Sequence, residues 1–129
     1  MVVIVGELLL DCFPDYRRIG GAPFNVAWHL QAFGQQPRFI SRVGEDAQGL
    51  EVKSLMDHWG MDRSLLQTDP RRPTGKVNVE FVDGEPQYDI QQDCAYDAIQ
   101  PPEIEHCDVL YHGSLALRNE QSARAFEAL

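Results

Sequence analysis

The chain opens on Val2-Val3-Ile4-Val5, an unbroken β-branched run cut short by Gly6 and Glu7. The run is too short for a helix and offers no polar alternate to water. It reads as a strand covered on both faces, the situation in a parallel sheet flanked by helices. The text that follows keeps to that plan. Residues 8–13 extend the first strand or begin a second, and residues 16–19 are short and loop-like. Gly20-Gly21-Ala22-Pro23 opens a helix, because proline in the first turn gives up no N–H that the helix needs. Val26, Ala27, Leu30 and Phe33 form one apolar stripe at helical spacing, and Gly34 stops it. Residues 38–43 are the next strand. Asp46 then caps a second helix carrying Val52, Leu55, Met56 and Trp59 on one face, closed by Gly60. Strand, helix, strand, helix predicts an α/β fold with a parallel sheet flanked by helices.

The middle of the chain changes period. Residues 76–82 alternate, with Val77, Val79 and Phe81 on one face, and Asp83-Gly84 is a hairpin turn signal. Tyr88 and Ile90 continue the alternation on the return strand. An antiparallel hairpin inside a parallel pattern predicts a lid or an interface. Residues 93–106 are polar, contain Pro101-Pro102 and read as a loop. Residues 108–111 read as another buried strand. Asn119 caps a third helix with Ala123, Phe126 and Leu129 at helical spacing. That helix meets the end of the text with no stop signal, so the sequence is expected to be cut rather than finished.

Charge narrows the partners. The 129 residues carry a net charge of -9, a field that repels phosphate backbones and anionic membrane surfaces, so neither nucleic acid nor membrane is expected as a partner. Cys12, Cys94 and Cys107 are odd in number and form no CxxC pair, which predicts free thiols and a cytoplasmic setting. The apolar start is too short to span a bilayer and has no basic leader. His106-Cys107 with His112 supplies too few ligands for zinc, and no metal site is expected.

Two phosphate loops are excluded by spacing. Gly75-Lys76 is followed by Val77 rather than by the end of a GxxxxGK[ST] loop, and Val5-Gly6-Glu7-Leu8 stands where GxGxxG would follow the first strand. A different set of short motifs is present in order. Gly20-Gly21-Ala22-Pro23-Phe24-Asn25-Val26-Ala27, with Leu30 and Gly34 beyond it, resembles the first signature of the ribokinase-like (PfkB) carbohydrate kinases. Gly44-Glu45-Asp46-Ala47-Gln48-Gly49 resembles that family's GxDxxG segment, followed by Leu55 and Gly60-Met61-Asp62. Gly6-Glu7-Leu8-Leu9-Leu10-Asp11, Pro73-Thr74-Gly75 and Gly113-Ser114-Leu115-Ala116-Leu117 resemble text of its fructokinase-like branch.

The resemblance implies the N-terminal portion of one ribokinase-like domain over residues 1–129, with β-lid segments near 11–19 and 63–92. It implies that Asp11, Gly20, Gly21 and Asn25 contact sugar hydroxyls, with Asp11 orienting hydroxyls rather than acting as a base. The chemistry suits that role, because a sugar ring is held by carboxylates, amides and closely approaching backbone. Tyr88 and Tyr96 are expected as lid contacts to the sugar. Ribokinase itself has lysine where Ala22 stands, so a hexose such as fructose is the first expected substrate, with a 2-keto-3-deoxy sugar acid as the alternative.

The resemblance also implies what is missing. Family members use the aspartate of a GAGD motif as base and an NxxE segment to place magnesium and phosphate. Neither is present: Asn25, Asn78 and Asn119 are followed three residues on by Trp28, Phe81 and Ser122. The base is therefore expected beyond Leu129. ATP and Mg2+ are expected cofactors of a parent kinase, with neither bound tightly by this chain, and a homodimer through the lid is expected. Outside the kinase class, the alternative is a non-catalytic module that binds sugar or pairs subunits through the lid. Asp46, Gly49 and the segment from Thr74 to Lys76 suit structure as readily as function.

Overall fold

In the computed structural model, which describes residues 1–129, the first strand sends its side chains into two separate cores. Val3 and Val5 on β1 (Val2–Val5) join one apolar cluster and Ile4 joins the other, all three fully buried. The strand thus has cover on both sides, as its unbroken apolar run predicts. β2 (Leu9–Cys12) and β3 (Arg17–Gly20) follow, then α1 (Ala22–Ala32), β4 (Arg38–Gly44), α2 (Ala47–Trp59) and β5 (Leu66–Asp69). β6 (Gly75–Val82) and β7 (Glu85–Ile90) form the hairpin, and β8 (Val109–His112) and α3 (Glu120–Glu127) complete the order.

Two sheets result. The first is entirely parallel, in the order β5-β4-β1-β8. The second runs β3-β2-β6-β7, with β2 antiparallel to β3, parallel to β6, and β6 antiparallel to β7. On one face of the parallel sheet, Phe24 and Ala27 of α1 and Val52 and Met56 of α2 pack with Ile4, Leu8, Phe39 and Val43. Trp28 and Trp59 stack between those helices with ring centroids 4.9 Å apart, an arrangement that adds to the burial of both rings. On the other face, Val3, Val5 and Ile40 meet Tyr96, Ile99, Ala116 and Ala125 from two short 3-10 turns and α3.

The local signals behave as expected at both helix ends. Asp46 Oδ1 accepts from the Gly49 N–H at 2.8 Å, and Gly60 closes α2 in the left-handed conformation at φ 71°. Asn119 caps α3 through the Gln121 N–H. α1 ends one residue earlier than its apolar stripe, and Phe33 lies exposed beyond it. No helix is long and apolar enough to cross a membrane, and all three cysteines are free thiols.

Four readings are corrected. Residues 16–19, expected as loop, fall largely within strand β3, because their backbone pairs with β2. Leu66–Asp69, placed within the lid segment 63–92, instead pairs in parallel with β4 in the first sheet. The loop expected at 93–106 contains a buried 3-10 turn, Ala95–Ala98. There Arg118 donates from Nε to Asp97 Oδ1 at 2.9 Å and from Nη2 to Asp97 Oδ2 at 2.8 Å, so a charged residue can stay inside the core. β8, expected to be buried, is the exposed edge of the parallel sheet, with Val109 53% exposed, because β1 is its sole strand neighbour.

Candidate functional site

The expected sugar contacts gather where β2, β3 and the start of α1 meet. Asp11 lies on β2 directly opposite Arg18 of β3. Its carboxylate leans over Gly20: a Cβ placed on Gly20 would lie 2.8 Å from Asp11 Oδ2. Glycine is therefore required there to leave the carboxylate its place. Gly21 follows as the residue preceding α1, with φ 102°, and a Cβ on it would lie 2.5 Å from the Glu7 carbonyl oxygen. Both the backbone conformation and the space restrict that position to glycine. The Asn25 N–H donates to the Gly21 carbonyl at 2.9 Å, so Asn25 stands one helical turn above the glycine pair with its side chain exposed. Pro23 in the first turn wedges against Gly6 and Gly113, each of which has its missing Cβ 2.5 Å from the proline Cγ. These two glycines end β1 and β8, so the root of α1 sits over the carboxyl ends of parallel strands, where open α/β sheets take their ligands.

Asn25 also lines a cleft of about 690 Å³ between β3, α1 and α2. Ile19, Phe24, Trp28 and Leu55 give it an apolar floor, and Arg18, Glu51, Ser54 and His58 add polar groups. An apolar floor with a few placed polar groups is the general form of a small-molecule site. Arg18 is the link: it faces Asp11 across the strand pair and shares the cleft with Asn25. Residues 16–19 read as loop, and Arg17-Arg18-Ile19-Gly20 carries no alternation that would bring Arg18 forward; its place opposite Asp11 follows only from the pairing of β3 with β2. Burial pushes the Asp11 carboxyl up from the ordinary carboxylate value.

The two tyrosines separate. Tyr88 is on the hairpin strand β7, 64% exposed, and borders a shallow groove with Cys12, Phe13 and Asn78. Tyr96 is not on the lid surface: it is fully buried in the 3-10 turn, filling the space that Gly75 leaves by having no side chain. Its hydroxyl accepts from Arg118 Nη2 at 3.0 Å, and burial drives its pKa up. Tyr96 is a core residue because an aromatic ring opposite a strand glycine packs there by shape.

The GxDxxG segment forms a hydrogen-bonded knot. Asp46 Oδ1 accepts from Thr74 Oγ1 at 2.6 Å and Oδ2 accepts from the Thr74 N–H at 2.8 Å. Thr74 Oγ1 accepts from the Gly44 N–H at 2.9 Å. Burial alone would raise the Asp46 carboxyl, but the bonds from Thr74 and the Gly49 N–H, with Lys76 nearby, hold it below the ordinary value. Gly49 sits so close to the Gly44 carbonyl that a side chain would strike it. Nearby, the buried carboxylate of Asp69 accepts from the N–H groups of Arg71 and Arg72 at 2.9 Å each and pairs with Arg42 Nε at 3.1 Å.

A parallel sheet flanked by helices, beside a second small mixed sheet, defines the α/β class of this protein. The comparisons specify the family. The model of the pfkB family carbohydrate kinases matches residues 6–128. A fructokinase of Vibrio alginolyticus is 30% identical over 139 aligned positions, covering 99% of this chain and 45% of the relative. The apo crystal structure of fructokinase from Vibrio cholerae O395 superposes with a TM-score of 0.89 at 27% identity, over 98% of this chain and 47% of that one. The same enzyme in fructose-, ADP- and calcium-bound form gives 0.83 at 26% identity, over 98% and 44%. The chain belongs to the pfkB carbohydrate kinase family. It spans less than half the length of these relatives.

Proposed function

We propose that this chain is the sugar-facing, N-terminal part of an ATP-dependent, fructokinase-like kinase that phosphorylates a hexose hydroxyl. The observation that carries the reading is the Asp11 carboxylate seated over Gly20 at the root of α1, with Gly21 and Asn25 continuing from it. A carboxylate accepts from two hydroxyls, an amide both donates and accepts, and the glycine backbone lets a ring approach. Asp11 thus orients hydroxyls, and Asn25 and Arg18 supply donors. Tyr88 is the lid residue in reach of solvent, and the hairpin is the lid. Fructose is the first candidate, supported by the fructose named for the Vibrio cholerae enzyme.

The phosphoryl-transfer apparatus lies outside these residues in this reading. Neither a GAGD nor an NxxE segment occurs among these residues, so in this reading the chain does not transfer phosphate alone. Calorimetric titration of the chain with fructose tests the sugar reading: saturable binding that Asp11→Ala abolishes supports it, and no heat with any hexose overturns it. A coupled ADP-release assay with fructose and Mg-ATP tests the division of labour, and robust turnover would refute it. The open outer edge of β7, with Tyr88 exposed on it and Phe81 exposed on the neighbouring β6, favours a second role, pairing of two chains through the lid.

A further inference from the structure

Asp46 holds no position at the sugar contacts, yet every polar atom of its carboxylate is used. Oδ1 takes the Gly49 N–H and the Thr74 hydroxyl, and Oδ2 takes the Thr74 N–H. Capping α2 needs only the first of these bonds. The other two run to a residue 28 positions away that stands immediately before β6. The knot closes on a third element, because the Thr74 oxygen also takes the N–H of Gly44 at the end of β4. A parallel-sheet strand, a helix start and the first residue before the second sheet are thus tied at one point.

What lies downstream of Thr74 gives the tie its consequence. Gly75 pairs with Leu9 and Val77 pairs with Asp11, so β6 sets the height of β2 and with it the Asp11 carboxylate. Gly44 and Gly49 enforce the geometry: a Cβ on Gly44 would lie 2.6 Å from both Asp46 Oδ2 and the Thr74 nitrogen. Neither glycine has a positive φ, so their smallness serves close approach rather than backbone freedom.

We propose that Asp46 is a positioning residue that acts through Thr74 to fix β6, and through β6 to hold Asp11 at its place over Gly20. This deepens the sugar reading, but its first test does not depend on any sugar. Amide hydrogen exchange on the chain is compared for wild type, Thr74→Val and Thr74→Ser. Valine keeps the shape and the N–H but loses both hydroxyl bonds; serine keeps them. Thr74→Val should speed exchange in β2 and β6 about tenfold more than in β1 and β4, and Thr74→Ser should restore the wild-type pattern. Equal acceleration in both sheets, or none in β2 and β6, overturns the proposal. If Thr74→Val does not fold, the wild-type data decide: the Thr74 amide should open together with the β6 amides, and independent opening overturns it. In the second test, fructose affinity should fall in Thr74→Val and recover in Thr74→Ser. Selective exchange without fructose binding in wild type would sink the sugar reading and leave the positioning role standing.

Discussion

At the residue scale the site rests on a few positions where a single atom decides. Asp11→Asn keeps the shape of the side chain but turns one acceptor into a donor. Removing a hydrogen bond from a charged group costs about 1.5–3 kcal/mol, so fructose affinity in calorimetry should drop about tenfold to hundredfold. Burial raises the Asp11 carboxyl, so affinity should decline on acidification from a pH above the ordinary carboxylate value of about 4. Asp11→Asn should flatten that profile. Gly49→Ala forces a methyl into the Gly44 carbonyl. It should lower the chemical-denaturation midpoint by an amount worth about 1–3 kcal/mol, the range for overpacking. The positions that gather at the root of α1 are legible in the text, since Asp11, the glycine pair and Asn25 lie in short-range motifs. Tyr96 was not, because whether an aromatic faces a ligand or a glycine-shaped hollow depends on a strand that reaches it from far along the chain.

At the scale of elements, propensity and period located the helices and the hairpin, and long-range pairing decided the remainder. β3 has two arginines and a glycine and no strand pattern of its own; it exists because β2 lies beside it. β5 is likewise short and mostly polar, and its place beside β4 follows from packing. The knot at α2 has a pH signature whose sign is fixed. Asp46 and Asp69 are both held below their ordinary values in the folded chain, so the unfolded chain binds protons more readily. Their contribution is complete above the unfolded value of about 4 and is lost as pH falls through the folded values. Urea midpoints measured from pH 7 down to pH 3 should decline below about pH 4, and Asp46→Asn should be less stable at neutrality with a shallower decline.

At the scale of the molecule, two groups of exposed apolar residues stand on strands: Val109, Leu110 and Tyr111 on β8, and Phe81, Val82 and Tyr88 on the β6–β7 hairpin. β8 leaves Val109, Leu110 and Tyr111 part-exposed along an open edge, and such edges recruit further strands. Light scattering should find the chain self-associating, and Leu110→Lys should reduce the associated fraction while the thermal midpoint stays within a few degrees. The reading of residues 108–111 as buried strand was right about the strand and wrong about its cover, because apolar text says that a face wants a neighbour and not which chain segment provides it. Elsewhere the molecule has settled such matters internally. The Pro23 ring occupies room given up by Gly6 and Gly113, two positions separated by most of the chain. Mutational drift at those three sites is therefore yoked: an alanine at position 113 collides with the ring, and shrinking the ring first relieves that collision. Natural variation that reaches one of them must take its order from the others.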